Sequence, residues 1–96
     1  MTTTEARSHL AALAAALPGL RAAEEAAAKV LSEAHLVLEA IETERWNDTG
    51  RGDLQAAIDA FREAERQHRA VAAMLEANWR ESGRLRAALR RVEGER

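Results

Sequence analysis

The chain is 96 residues long, carries a formal net charge of −2 and contains no cysteine. That length is enough for one domain, and the absence of thiols excludes disulfides, thiolate chemistry and Cys-based zinc sites. The slightly acidic balance argues against general affinity for nucleic acid or an anionic membrane, because such binding needs a surplus of lysine and arginine.

The start of the chain bears on localisation. Met1-Thr2-Thr3-Thr4-Glu5 lacks the basic, then apolar, then small-residue order of a signal peptide. No apolar run approaches the roughly 20 residues of a membrane helix. The sequence therefore predicts a cytoplasmic protein, with export without a cleaved signal peptide as the alternative.

The first half of the chain has the pattern of one long helix, over about residues 4–46. Thr2 stands three residues before Glu5, as in a capping box. Apolar residues then recur in steps of three and four, and Glu24 occupies the one missing place. This spacing predicts a coiled-coil seam made by Leu10, Leu13, Leu17, Leu20, Ala27, Leu31, Ala34, Leu38 and Ile41.

A bend is predicted over residues 47–52, where the sequence reads Asn-Asp-Thr-Gly-Arg-Gly. Asp53 can cap a second helix over about residues 53–93. This helix has a stripe with the same period, formed by Ala57, Phe61, Ala64, His68, Val71, Leu75, Asn78, Ser82, Leu85, Leu89 and Val92. Together these features predict an all-α fold, a long antiparallel helical hairpin in which residue i lies level with about residue 100 − i.

Two weak points interrupt this pattern, Pro18-Gly19 and Ser82-Gly83, and the level rule places Pro18 beside Ser82. The hairpin either bends there as a unit or breaks into four helices whose outer segments fold back. In both cases two narrow stripes bury little surface. We therefore expect completion to a four-helix bundle by a second copy or by another helical protein.

Glu65-x-x-His68 is the most specific local motif, because residues three apart share a helix face and this spacing presents a carboxylate and an imidazole to iron in helical bundles. The level rule brings His35 opposite Glu65, so the metal hypothesis groups His35, Glu65 and His68. The alternative interpretation makes His68 a seam histidine, hydrogen-bonded to Glu or Gln across the interface.

At this motif the sequence resembles the encapsulated-ferritin-like hairpins, over roughly residues 30–70. The shared features are a Trp ending helix one, Asp53-Leu54 opening helix two, and Glu65-x-x-His68 twelve residues on. His35 stands where that family has its helix-one Glu. The resemblance implies a dimeric iron-binding protein with ferroxidase-like activity.

Nearly the whole chain also resembles the small Trp-x-Gly hairpins exported by type VII secretion. Trp46 matches their bend Trp, Gly50 and Gly52 their bend glycines, Phe61 an aromatic in helix two, and Gly83 a late glycine. The spacing differs, because three residues lie between Trp46 and Gly50, where the family has one. This resemblance implies a secreted partner that forms four-helix dimers. The alternative is an ordinary bend with a Trp over the end of the core.

The function predicted from these features is non-enzymatic. We expect a helical interaction module, an adaptor, chaperone-like protein or assembly subunit, that binds itself or another helical protein and needs no cofactor, nucleic acid or membrane. No catalytic residues are predicted. Trp79 is expected to pack across the Pro18-Gly19 kink or to anchor an interface. The predicted interface residues are Leu31, Leu38, Ile41, Phe61, Leu75 and Trp79.

Overall fold

A computed structural model describes residues 1–44 and 51–94 of the chain. Helix α1 spans Thr3–Glu44 and helix α2 spans Arg51–Gly94. They run antiparallel, because Arg7 near the start of α1 contacts Glu93 near the end of α2. The molecule measures 74 × 17 × 16 Å. The predicted all-α helical hairpin is thereby confirmed.

The ends of the helices differ slightly from the predicted ones. Helix α1 starts at Thr3 rather than residue 4, and α2 starts at Arg51, so the last two residues of the predicted bend are already helical. The rest of the predicted bend, residues 47–50, and Trp46 lie outside the described residues.

The Thr2 half of the predicted capping box at the start of α1 is confirmed, whereas the Glu5 carboxylate bonds the Thr2 hydroxyl rather than the Thr2 backbone N–H. The backbone N–H of Glu5 donates to Thr2 Oγ1 over 3.1 Å, and Thr2 Oγ1 in turn donates to the Glu5 carboxylate over 3.2 Å. The Ala6 N–H donates to the Thr2 carbonyl over 2.9 Å. The Ala6 bond is the first regular bond of the helix, and the Thr2 side chain satisfies one of the donors that a helix start leaves free.

The core is a single seam between the two helices. Its apolar side chains are mostly half-buried, because no third element covers the pair. Among the described residues only four apolar side chains are buried, and Leu85, at 2 % exposure, is the most enclosed. The other three are the alanines Ala6, Ala57 and Ala64. Two polar residues, Asn78 and Ser82, are also buried in this seam.

Both helices continue through their predicted weak points. Helix α1 includes Pro18 and α2 includes Gly83 without interruption, so the alternative with four separate helices is wrong. Pro18 has no N–H to offer the Ala14 carbonyl. One residue earlier, the Leu13 carbonyl accepts a 2.9 Å hydrogen bond from the buried Asn78 side chain. This bond across the seam ties α2 to the turn of α1 that precedes the proline.

The level rule needs correction. Glu24 contacts His68, and Leu13 contacts Asn78. Pro18 lies between these two levels, about two turns away from the level of Ser82. The predicted pairing of Pro18 with Ser82 is therefore wrong. The physical reason is that the midpoint between the end of α1 at Glu44 and the start of α2 at Arg51 precedes the assumed centre at residue 50.

Neither helix, over the residues that the structure describes, has a segment long and apolar enough to cross a membrane.

Candidate functional site

The centre of the hairpin contains a polar pair. His68 Nε2 lies 3.1 Å from Glu24 Oε1, and the two side chains are 29 % and 34 % exposed. Glu24 is the residue that fills the missing place in the α1 stripe, so the polar exception of the α1 stripe meets one of the three polar residues of the α2 stripe. His68 has the position and the partner that the seam interpretation gives it.

The three residues of the metal hypothesis are not brought together within one chain. His35 Nε2 contacts Glu39 Oε1 of its own helix at 2.9 Å, and Glu65 contacts Arg69 at 3.5 Å. Across the seam His35 faces Phe61, with ring centroids 5.7 Å apart, and the predicted level with Glu65 is off by one turn. Within residues 1–44 and 51–94 no three His, Asp or Glu side chains are grouped to hold a metal ion.

Five of the predicted interface residues lie in the hairpin's own seam. Leu31, Leu38 and Ile41 from α1, and Phe61 and Leu75 from α2, are each half-buried there. Trp79 is different, because it is 73 % exposed. The expected packing of Trp79 across the kink is wrong: Trp79 sits beside the seam, where its side chain stays in solvent.

Arginines surround Trp79 along α2. A shallow groove is lined by Trp79, Gly83 and the side chains of Arg80, Arg84, Arg86 and Arg90. Arg80 is paired with Glu76 at 2.6 Å. Arg84 pairs with Glu81, and its hydrogen bond is the main cause that holds the pKa of the Glu81 carboxyl below its usual value. Much of the positive charge at this groove is therefore balanced by carboxylates of the same helix.

The two sides of the seam differ in chemistry, a feature that the sequence analysis missed. Because the seam has a period of 3.5 residues, residues seven apart on one helix form a row that stays on one side of the seam. A contact across the seam then shows which row of α1 lies beside which row of α2. His9 lies 3.9 Å from Glu81. The rows through these two residues form a surface that we call the Val–Met flank: His9, Ala16, Ala23, Val30 and Val37 of α1 with Ala60, Gln67, Met74 and Glu81 of α2.

The opposite surface, the Arg–Trp flank, is identified by the 2.9 Å contact of Arg7 with Glu93. Its rows hold Arg7, Ala14, Arg21, Ala28, His35 and Glu42 of α1 with Ile58, Glu65, Ala72, Trp79, Arg86 and Glu93 of α2. Half of these side chains carry a formal charge. In the Val–Met flank Glu81 does, and so does Asp53, seven residues before Ala60 in the same row. Val30, Val37 and Met74 there are 50 %, 53 % and 56 % exposed.

The chemical signal for the Val–Met flank is present in the sequence as alanine, valine and methionine at seven-residue steps beside the stripes. The pairing of the α1 rows with the α2 rows depends on the side on which the helices join. Only the contacts across the seam establish this pairing.

Comparisons with known proteins found no matching family model, no matching curated protein and no matching solved structure.

Proposed function

We propose that the protein is a non-enzymatic helical interaction module that associates through an exposed face of its hairpin, with itself or with another helical protein. The observation that carries this proposal is the imbalance between a thin seam and large apolar side chains left in solvent. Leu85, at 2 % exposure, is the only large apolar side chain that is buried among the described residues, whereas the large apolar side chains of Val30, Leu36, Val37, Met74 and Trp79 are each at least half exposed.

The energetic argument follows from area. Apolar surface removed from water contributes about 25 cal/mol per Å², and a hairpin of two helices removes little of it. Chains of this size are marginally stable even when compact, and this molecule is extended, with a long dimension of 74 Å. A second helical element over an exposed apolar flank would add the burial that the single hairpin lacks.

Light scattering after size exclusion tests the proposal at micromolar concentrations. The expected mass is about twice the 10.5 kDa of one chain, with a melting temperature that rises with concentration. A monomer that unfolds cooperatively, at a midpoint independent of concentration, would contradict the premise that the hairpin needs a partner.

A further inference from the structure

We propose that the occupant of the Val–Met flank is a second copy of this chain, packed antiparallel on the same flank, with the two-fold axis at the level of the Glu24–His68 contact. This inference rests on the proposed function and deepens it, because it names the partner, the face and the orientation.

The choice of face follows from its composition. In the Val–Met flank the three large exposed side chains Val30, Val37 and Met74 stand among alanines. Small neighbours let the helices of a second hairpin approach closely, so that the larger side chains can interdigitate. On the Arg–Trp flank a self-complementary contact would desolvate six charged residues in each copy, at a high cost unless every charge found a partner.

The position of the axis follows from symmetry within the hairpin. Glu24 and His68 are in contact near the middle of the molecule. Val30 lies six residues beyond Glu24 towards the bend, and Met74 lies six residues beyond His68 towards the open end. Each is therefore about 9 Å from that level, in opposite directions. A two-fold axis there brings Met74 of each copy to the level of Val30 of the other, diagonally across the interface.

The orientation follows from charge. Residues 24–69, the bend end, carry eleven acids and six cations, a net charge of −5, whereas the remaining residues carry five acids and eight cations, a net charge of +3. A parallel pair of hairpins would place like ends together. An antiparallel pair places the negative bend end of each copy beside the positive open end of the other, which is electrostatically complementary.

The size of the whole face suits a stable dimer. The flank residues span about 42 Å along the helices, which with the 17 Å width gives about 700 Å², and full overlap of the 74 Å hairpins adds the ends, compared with the about 800 Å² per partner of a standard stable interface. Full overlap is the arrangement that a central two-fold axis produces.

Engineered cysteines test the orientation, since the native chain has none. We expect the double variant V30C/M74C to form a covalent dimer when oxidised with glutathione disulfide, while V30C alone and M74C alone do not. Within one chain these positions are about 18 Å apart along the axis, well beyond the Cα separation of about 7 Å at which a disulfide becomes impossible. Cross-linking by V30C alone would show a parallel dimer and overturn the proposal.

A charge introduced into the flank tests the face. Met74→Glu is expected to raise the dimer dissociation constant at least tenfold, whereas the matched change Ala72→Glu, on the Arg–Trp flank, leaves it within a factor of two. A dimer that tolerates Met74→Glu and does not cross-link in V30C/M74C would overturn this inference and leave the proposed function standing. A native chain that is monomeric at every concentration and unfolds cooperatively at a fixed midpoint would overturn both.

Discussion

At the scale of single residues, the Glu24–His68 pair is a polar interruption at the centre of the seam, while the buried polar residues Asn78 and Ser82 lie nearer its open end. Each side chain is about one third exposed or less, and they lie 3.1 Å apart. Such a pair contributes little net stability compared with two apolar residues of similar size, because both groups lose contact with water. It specifies how the helices align, since a shifted alignment separates the two groups.

We expect His68→Leu to change the free energy of unfolding by less than about 1 kcal/mol, because Glu24 stays accessible to water when its partner is removed. The double variant Glu24→Leu with His68→Leu should be more stable than the native chain by about 1 kcal/mol or more, because it replaces the polar layer with an apolar one. Urea midpoints at one protein concentration measure both changes. A double variant less stable than the native chain would show that the pair stabilises the fold.

Burial predicts an unusual order for two core truncations. Leu85→Ala should cost about 2.7–5 kcal/mol, because Leu85 is 2 % exposed and its removal leaves a cavity. Phe61→Ala should cost less than Leu85→Ala, although phenylalanine is larger, since Phe61 is only half-buried beside His35. Denaturant unfolding of the two variants gives the order. A larger loss for Phe61→Ala would mean that a second chain covers Phe61, which would place an interface on the Arg–Trp flank.

Trp79 shows the limit of sequence reasoning at this scale. Its position beside the α2 stripe and the nearby kink both favoured packing. Its place in the Arg–Trp flank leaves it exposed instead, with Gly83 one turn further along the helix. An aromatic residue next to a stripe can be covered or open, and the difference depends on the size of the facing side chains rather than on its own type.

At the scale of helices, α1 contains a proline in its interior and remains helical on both sides. An interior proline costs about 3 kcal/mol because a hydrogen bond is lost and the ring meets the preceding turn. The Asn78 bond to the Leu13 carbonyl joins α2 to this turn. The site therefore combines a weak helical turn with a buried polar contact.

Pro18→Ala is expected to raise the free energy of unfolding by about 1–3 kcal/mol, because it restores the N–H donor to the Ala14 carbonyl. Gly19→Ala is the matched control for helix propensity. A Cβ at Gly19 meets nothing within 4 Å, so this change should raise the free energy of unfolding by at most about 1 kcal/mol. Thermal unfolding of both variants compares them. A lower free energy of unfolding for Pro18→Ala would indicate that the proline is needed for the Asn78 contact.

The helices themselves were predictable, because each stripe keeps its period of 3.5 over many turns and Thr2 and Glu5 mark the start of α1. The alignment of one helix against the other was less predictable from the sequence. An error of a few residues in the assumed centre of the bend shifts every predicted pair across the seam. The prediction therefore paired His35 with Glu65, whereas His35 faces Phe61 in the structure. The predicted metal group depended on that alignment.

At the scale of the whole molecule, the hairpin has two chemically different flanks and two oppositely charged ends. The stripes in the sequence define the seam but leave both flanks equivalent. The contacts of His9 with Glu81 and of Arg7 with Glu93 assign the rows to sides. Only then do Val30, Val37 and Met74 become one surface rather than three scattered apolar residues.

The charge difference between the ends predicts how self-association depends on salt. In the antiparallel dimer opposite charges lie side by side, so screening them weakens the complex. We expect the dissociation constant to rise several-fold as sodium chloride shortens the screening length from about 30 Å at 0.01 M to about 3 Å at 1 M. Sedimentation equilibrium at several salt concentrations measures it, with Met74→Glu as a control for the apolar contribution. A parallel dimer brings the −5 ends together and the +3 ends together, so its dissociation constant would fall as salt is added. The sign of the salt dependence therefore distinguishes the two orientations without any cross-link.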